Sequence, residues 1–224
     1  VNTALWVVLP YIALTTFVLG HLWRYRTDKF GWTARSGQLH EQRLLRWGSP
    51  LFHYGILVTA LGHAAGLLVP AGVTEALGVP VTLYKLAAFV LGGVAGIAAL
   101  AGLAILIYRR LTVRAVARSR VFGDTVMYTL LTSTMLLGLG ITLFGGGHEY
   151  RETVAPWFRS IFVLQPDTDA IADAPFWFKV HALSAWMLIA CWPFTRLVHA
   201  FSLPLGYFTR PYILYRGREG SRRA

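Results

Sequence analysis

A single cysteine, Cys191, in 224 residues excludes an internal disulfide and a zinc site made of cysteines alone. It equally excludes an iron–sulfur cluster held by this chain by itself. Inside an apolar segment, Cys191 reads as packing. Charge is also scarce: 14% of the residues are charged, against about 25% in an ordinary soluble domain. Little chain remains for a water-soluble domain with its own active site. Acidic residues are scarcest, 10 against 21 lysines and arginines, for a net charge of +11. Such an excess can mark a nucleic-acid binder, but here the basic residues lie between apolar runs, so binding to DNA or RNA is discounted. The N-terminal apolar run has no basic residue before it and ends in Arg24 and Arg26. This reverses the charge order of a cleavable signal and predicts a retained anchor.

What the sequence has in plenty is apolar length: 55% hydrophobic residues and a mean hydropathy of +0.52. Runs over 4–23, 50–69, 83–108, 125–144 and 175–203 approach or exceed the roughly 20 residues that cross a bilayer. The expected fold is therefore an all-α membrane bundle of five transmembrane helices, one domain over 1–224 that ends in a basic tail at 204–224. Ser49 and Pro50 read as an N-cap and first-turn proline, Asp124 and Asp173 as N-caps of the fourth and fifth spans, and Pro70 as a stop. Pro10 and Pro193 fall inside spans and predict kinks. Seventeen of the 21 basic residues fall in 24–46, 109–120 and from Arg196 onward. The opposite side keeps Lys85, Arg151, Arg159 and Lys179 among most of the acids. By the positive-inside rule, the N-terminus is outside and the C-terminus cytoplasmic. The external segment 145–174 includes an expected interfacial amphipathic helix over 152–164.

Within the spans, His53 and His63 are ten residues apart, and His181 and His199 eighteen. An ionisable group at membrane depth is costly and points to function, and a neutral imidazole is a strong axial ligand for iron. The second span runs outward and the fifth inward, so His53 lies level with His199, and His63 with His181. Eighteen residues return a helix to nearly the same face, about 27 Å along its axis. Ten advance about 15 Å and miss that face by about 80°, a mismatch that tilt and the Pro193 kink must absorb. Taken singly, such histidines serve as interhelical hydrogen-bond donors; two level pairs favour two haems. No C-x-x-C-H motif is present, so these haems are b-type.

The surroundings fit a flat macrocycle. Gly55, Gly62 and Gly66 remove bulk from the second span, and Lys179 and Arg196 stand near His181 and His199 as partners for haem propionates. Gly92, Gly93, Gly96, Gly138 and Gly140 read as helix-packing contacts. His21 is expected at an interface, His40 solvated or at a subunit contact, and His148 in an ordinary loop.

LFHYGIL…GH in the second span, LGG in the third and PFTRLVHAFSLPLGYFTRPY at the C-terminal end resemble the gamma subunit of bacterial respiratory nitrate reductase. The likeness runs over nearly the whole chain. It implies a multi-pass subunit of the bacterial cytoplasmic membrane that carries two haem b groups and oxidises quinol, menaquinol or ubiquinol. Electrons would pass to an iron–sulfur beta subunit and then to a molybdenum-containing alpha subunit, where nitrate is reduced. By position, His53 and His199 would ligate the inner haem, and His63 and His181 the outer one. Lys85 resembles the family's quinol-associated lysine, and Gly62 would let the quinol ring approach. The residues alone leave two other readings open: a di-haem anchor of a formate dehydrogenase or hydrogenase that reduces quinone, and a transporter that uses membrane histidines.

Overall fold

The computed structural model describes residues 2–28, 41–118, 121–145 and 149–201. His40, His148 and the basic tail at 204–224 lie outside the described residues. Among those described there is no strand. The helices are α1 (Leu9–Thr27), α2 (Arg43–Leu68), α3 (Ala71–Ala76), α4 (Val81–Thr112), α5 (Arg114–Ala117), α6 (Phe122–Phe144), α7 (Val154–Phe162), α8 (Thr168–Ala172) and α9 (Phe176–Cys191). A π-helical turn, Ala4–Val8, precedes α1, and 3₁₀ turns at Trp192–Phe194 and Arg196–Phe201 follow α9. Four helical stretches are long and apolar enough to cross a membrane: Ala4–Thr27, Arg43–Leu68, Val81–Thr112 and Phe122–Phe144.

Proline decides where two of the helices depart from regularity. Pro10 has no N–H for the Trp6 carbonyl four residues earlier, and the Trp157 indole Nε1–H donates to that carbonyl instead, at 3.0 Å. The expected continuous helix over 175–203 does not form. α9 stops at Cys191, where Trp192 N–H turns back to the Ile189 carbonyl, and the chain continues in 3₁₀ turns. Pro193 is the physical cause, because its ring removes the donor that a further α-turn requires. Pro193's own carbonyl accepts from Arg24 Nη1 at 2.9 Å, which ties the break to α1.

Three expected caps are also displaced. α2 begins at Arg43 and runs through Pro50, so Ser49 is an internal residue of that helix. Asp124 stands in the first turn of α6, where its carboxylate accepts from Val121 N–H at 3.2 Å. Asp173 ends α8, and Pro175 precedes α9. Pro70 does follow the end of α2, at the head of α3.

Small residues set the closest helix pair. A Cβ at Gly55 would stand 2.6 Å from Ala99 N and 2.7 Å from Ala95 O, so α2 and α4 touch backbone to backbone. Gly102 meets Phe52 N and Gly48 O in the same antiparallel seam. Gly55 is therefore spent on α4 rather than on room for a macrocycle. Gly92, Gly93 and Gly96 of α4 face Thr142, Leu143 and Leu139 of α6, the packing role expected of them.

Two apolar clusters fill the bundle. Phe52, Leu103, Met127, Leu131, Leu188 and Leu197 pack towards one end. Trp6, Ala13, Trp157, Ile161, Ile171, Ala174 and Trp186 pack towards the other, where α7 buries Trp157 and Ile161. α7 falls within the amphipathic segment expected at 152–164. Meanwhile α2 and α4 leave Leu57, Leu61, Leu86, Val94 and Ile97 more than half exposed. A surface this apolar is matched to hydrocarbon, not water.

Candidate functional site

The structure brings the four span histidines together as two pairs. His53 of α2 faces His199 of the last 3₁₀ turn, and His63 of α2 faces His181 of α9; ring centres are 6.0 Å apart in each pair. The rings are inclined by 70° in the first pair and 39° in the second. The break at Cys191–Trp192 takes His199 off the path of α9. The 80° offset expected from ideal helices thus does not prevent pairing at both levels.

Backbone carbonyls orient all four rings. His53 Nδ1 lies 2.8 Å from Ser49 O, and His63 Nδ1 2.8 Å from Thr59 O, each one helical turn earlier. A helical side chain leaning towards the N-terminus reaches that carbonyl naturally. His199 Nδ1 lies 2.5 Å from Arg196 O. His181 Nδ1 instead crosses to α6 and meets Thr134 O at 3.1 Å. A carbonyl only accepts, so each Nδ1 is the N–H donor, and in a neutral ring that leaves the Nε2 lone pair for a metal. Metal-bound histidines are held in this way, with the second ring nitrogen donating to a carbonyl or carboxylate.

The spacing fits a metal held between the rings. Two imidazole–metal bonds of about 2.0 Å each, plus the distance from each bonding nitrogen to its ring centre, predict centres about 6.3 Å apart. The observed 6.0 Å agrees. Among the described residues, no cluster of three or more histidine, cysteine or acidic side chains stands together. Two histidines per site would suit a haem, which needs few further ligands from the protein.

The other expected site residues are more dispersed. Among the described residues, nothing stands within 4 Å of a Cβ position at Gly62, next to His63, so it borders open space. Gly66, one turn further, packs against the Tyr150 hydroxyl. Lys85, near the start of α4, forms an ion pair with Glu149. Its neighbour Tyr84 hydrogen-bonds Tyr150 hydroxyl to hydroxyl at 3.0 Å, under the Arg151 guanidinium 4.1 Å from the Tyr84 ring centre. Burial, and then this hydrogen bond, push the Tyr150 phenol above its ordinary range, so it stays protonated. Lys179 Nζ donates to Ala172 O at 2.6 Å, and Arg196 Nε to Asp124 Oδ1 at 2.6 Å. Both expected propionate partners are thus engaged within the chain.

Sequence reasoning overlooked Thr134 and assigned Gly138 to helix packing alone. Both serve His181: a Cβ at Gly138 would stand 2.9 Å from His181 Cε1. The missing side chain is what lets the imidazole lie against α6 and reach Thr134 O. The legible signal was the T-x-x-x-G spacing, which puts carbonyl and gap on one helix face. Ser184 Oγ, one turn beyond His181, accepts from Thr134 Oγ1 at 3.1 Å and fixes the register.

A family model described as the nitrate reductase gamma subunit matches residues 2–218. Nitrate reductase-like protein NarX of Mycobacterium tuberculosis is 52% identical over 219 residues, which cover 96% of this chain and 34% of that protein. The chain thus spans about a third of the length of that relative. The nitrate reductase gamma chain of Bacillus subtilis is 45% identical over 218 residues, 96% of this chain and 98% of its own length. The respiratory nitrate reductase 2 gamma chain of Escherichia coli is 35% identical over 223 residues, 97% and 98% respectively.

Proposed function

This chain belongs to the nitrate reductase gamma subunit family, and from that premise we propose that it oxidises quinol at the outer face of a bacterial cytoplasmic membrane. The electrons pass inward to an iron–sulfur beta subunit and on to a molybdenum-containing alpha subunit, which holds the nitrate site. The observation that carries the reading is the two facing histidine pairs, each with every Nδ1 hydrogen committed to a backbone carbonyl.

His53 and His199 would hold an inner haem b, and His63 and His181 an outer one. When bound, the haems carry single electrons between the two ends of the bundle. The chain's part is to hold four imidazoles in two facing pairs, each with its Nδ1 on a backbone carbonyl. Lys179 would reach a haem propionate by exchanging its present partner, Ala172 O, and Arg196 would add a propionate while its Nε stays on Asp124 Oδ1.

The topology we propose has five crossings, with the N-terminus outside and the C-terminal tail cytoplasmic, and one membrane domain over the whole chain. Four long apolar helices, the sixteen-residue α9 and its 3₁₀ extension support it, together with the segregation of basic residues. The quinol pocket lies at the His63 end, between the open space at Gly62 and the head of α4. Lys85 holds a quinol oxygen there. Glu149 pairs with it and gives released protons a route to the outer surface. Quinol loses two electrons and two protons, and the chain separates them by sending electrons inward and protons out.

A reduced-minus-oxidised optical spectrum of the purified complex, with pyridine haemochrome quantitation, tests the reading. Two haem b per chain are expected, and bands that rise on adding quinol. A complex without haem absorbance would refute it and return the histidines to a transport role.

A further inference from the structure

The turn that carries His199 lies beyond the break in α9, so helical continuity does not position it. Asp124 does much of that work. Its side chain is 1% exposed and uses both carboxylate oxygens. Oδ1 accepts from Arg196 Nε at 2.6 Å; Oδ2 accepts from Arg110 Nη2, and from Val121 N–H at 3.2 Å. Arg110 ends α4, Val121 and Asp124 begin α6, and Arg196 opens the 3₁₀ turn. One buried carboxylate therefore joins three separate pieces of chain.

Arg196 also faces the other way. Its carbonyl accepts from His199 Nδ1 at 2.5 Å, so one residue links Asp124 on its side chain to His199 on its main chain. The neighbouring contacts hold the same turn from behind: Trp192 Nε1 donates to Leu197 O at 2.8 Å, and Thr195 Oγ1 to Trp192 O at 2.9 Å.

We infer that Asp124 is a positioning residue for the inner haem: through Arg196 it sets the distance and rotation of the His199 imidazole opposite His53. This rests on the reading of His53 and His199 as iron ligands. The polar links around an axial ligand orient its ring and tune the metal it holds. A carboxylate serving two guanidiniums in an apolar surround is costly to remove, because the ion pairs lose their anion while buried Arg110 and half-buried Arg196 keep their charge. The outer pair is held elsewhere: His63 and His181 rest on Thr59 O and Thr134 O. The consequence of losing Asp124 is therefore asymmetric.

The test uses the whole complex, purified with Asp124→Asn, Asp124→Glu or Arg196→Lys, and compares low-spin haem signals by electron paramagnetic resonance and potentiometric titration. The inner component is identified beforehand as the one lost in His53→Ala. Asp124→Asn should shift the g-values of that component alone and raise its midpoint, since a nearby negative charge is gone. Asp124→Glu keeps the charge but moves the carboxylate by one methylene. It should return the midpoint towards wild type while the altered g-values persist, a split that a purely electrostatic or purely structural role does not produce. Arg196→Lys keeps the charge without the planar fork and should shift the inner g-values too, which covers the case in which Asp124→Asn fails to assemble. Wild-type g-values for the inner component in all three variants would overturn the inference, as would equal loss of both components. A wild-type complex lacking two haems would instead refute the reading of the histidines, and the inference with it.

Discussion

Adding one methyl group at Gly138 should damage the outer haem site and leave the rest of the protein intact. The new Cβ would stand 2.9 Å from His181 Cε1 and 3.5 Å from both ring nitrogens. Ordinary carbon–carbon contact begins at about 3.5 Å, so the imidazole must move by about 0.6 Å or more. It is tethered on one side by its 3.1 Å hydrogen bond to Thr134 O, and opposed on the other by His63 at 6.0 Å between ring centres. Movement lengthens the first or spoils the second. Loss of a supporting contact of this kind weakens metal binding by about 10- to 100-fold. The helix itself moves the other way, since alanine is favoured over glycine in a helix interior by about 1 kcal/mol. Gly138→Ala should therefore raise or preserve the thermal stability of the apo-bundle while the outer component is depleted or shifted in redox titration. Gly92→Ala is the control, because its Cβ meets only Thr142 Cγ2, at an ordinary 3.8 Å. An unchanged outer component in Gly138→Ala, at wild-type haem stoichiometry, would refute the assignment of Gly138 and Thr134 to the support of His181.

The remaining predictions concern the ligands, the quinol pocket and the cytoplasmic face. His63→Ala and His181→Ala should each remove the outer haem and spare the inner, and His53→Ala and His199→Ala the reverse; loss of the same redox component in His53→Ala and His63→Ala would overturn the pairing. Lys85→Ala should slow quinol reduction of both haems by about 10-fold or more, the loss of about 1.4 kcal/mol of binding, while an artificial donor to the soluble subunits still supports turnover. Unchanged quinol kinetics would reduce Lys85 to a surface partner of Glu149. In oriented vesicles, protons should appear on the outer side, and moving one charge inward couples about 2.3 kcal/mol per 100 mV to the reaction; release on the cytoplasmic side would sink the outer pocket. Neutralising Arg216, Arg218, Arg222 and Arg223 together should weaken retention of the soluble subunits at high salt, and full co-purification would show that the tail does not dock them.

Much of the bundle was legible because lipid imposes one requirement on every spanning segment. Backbone groups must bond within the segment, so a long apolar run is a helix wherever it falls. Helices at Ala4–Thr27, Val81–Thr112 and Phe122–Phe144 follow their apolar runs to within a few residues. Caps were less legible. Ser49–Pro50 has the composition of a helix start, yet α2 begins seven residues before Pro50, because the proline's missing donor costs one bond and the α2–α4 seam at Gly48, Gly55 and Gly102 holds both sides of it.

The sequence by itself determined the residue types: four histidines in apolar spans at spacings of ten and eighteen, and basic residues sorted by loop. Even the level of each histidine follows from counting residues along alternating spans. What only the tertiary structure decided is how the rings turn towards each other. Pro193, two residues beyond Cys191, ends α9, and the new direction of the chain depends on partners far away in sequence: Arg24 for the Pro193 carbonyl, Asp124 for Arg196. The orientation of His181 likewise depends on a carbonyl 47 residues distant and on a missing methyl at Gly138. A helical period describes a chain only while each carbonyl finds its donor one turn ahead. Where proline removes that donor, geometry passes from local periodicity to whichever distant group is in reach, and that is a property of the fold.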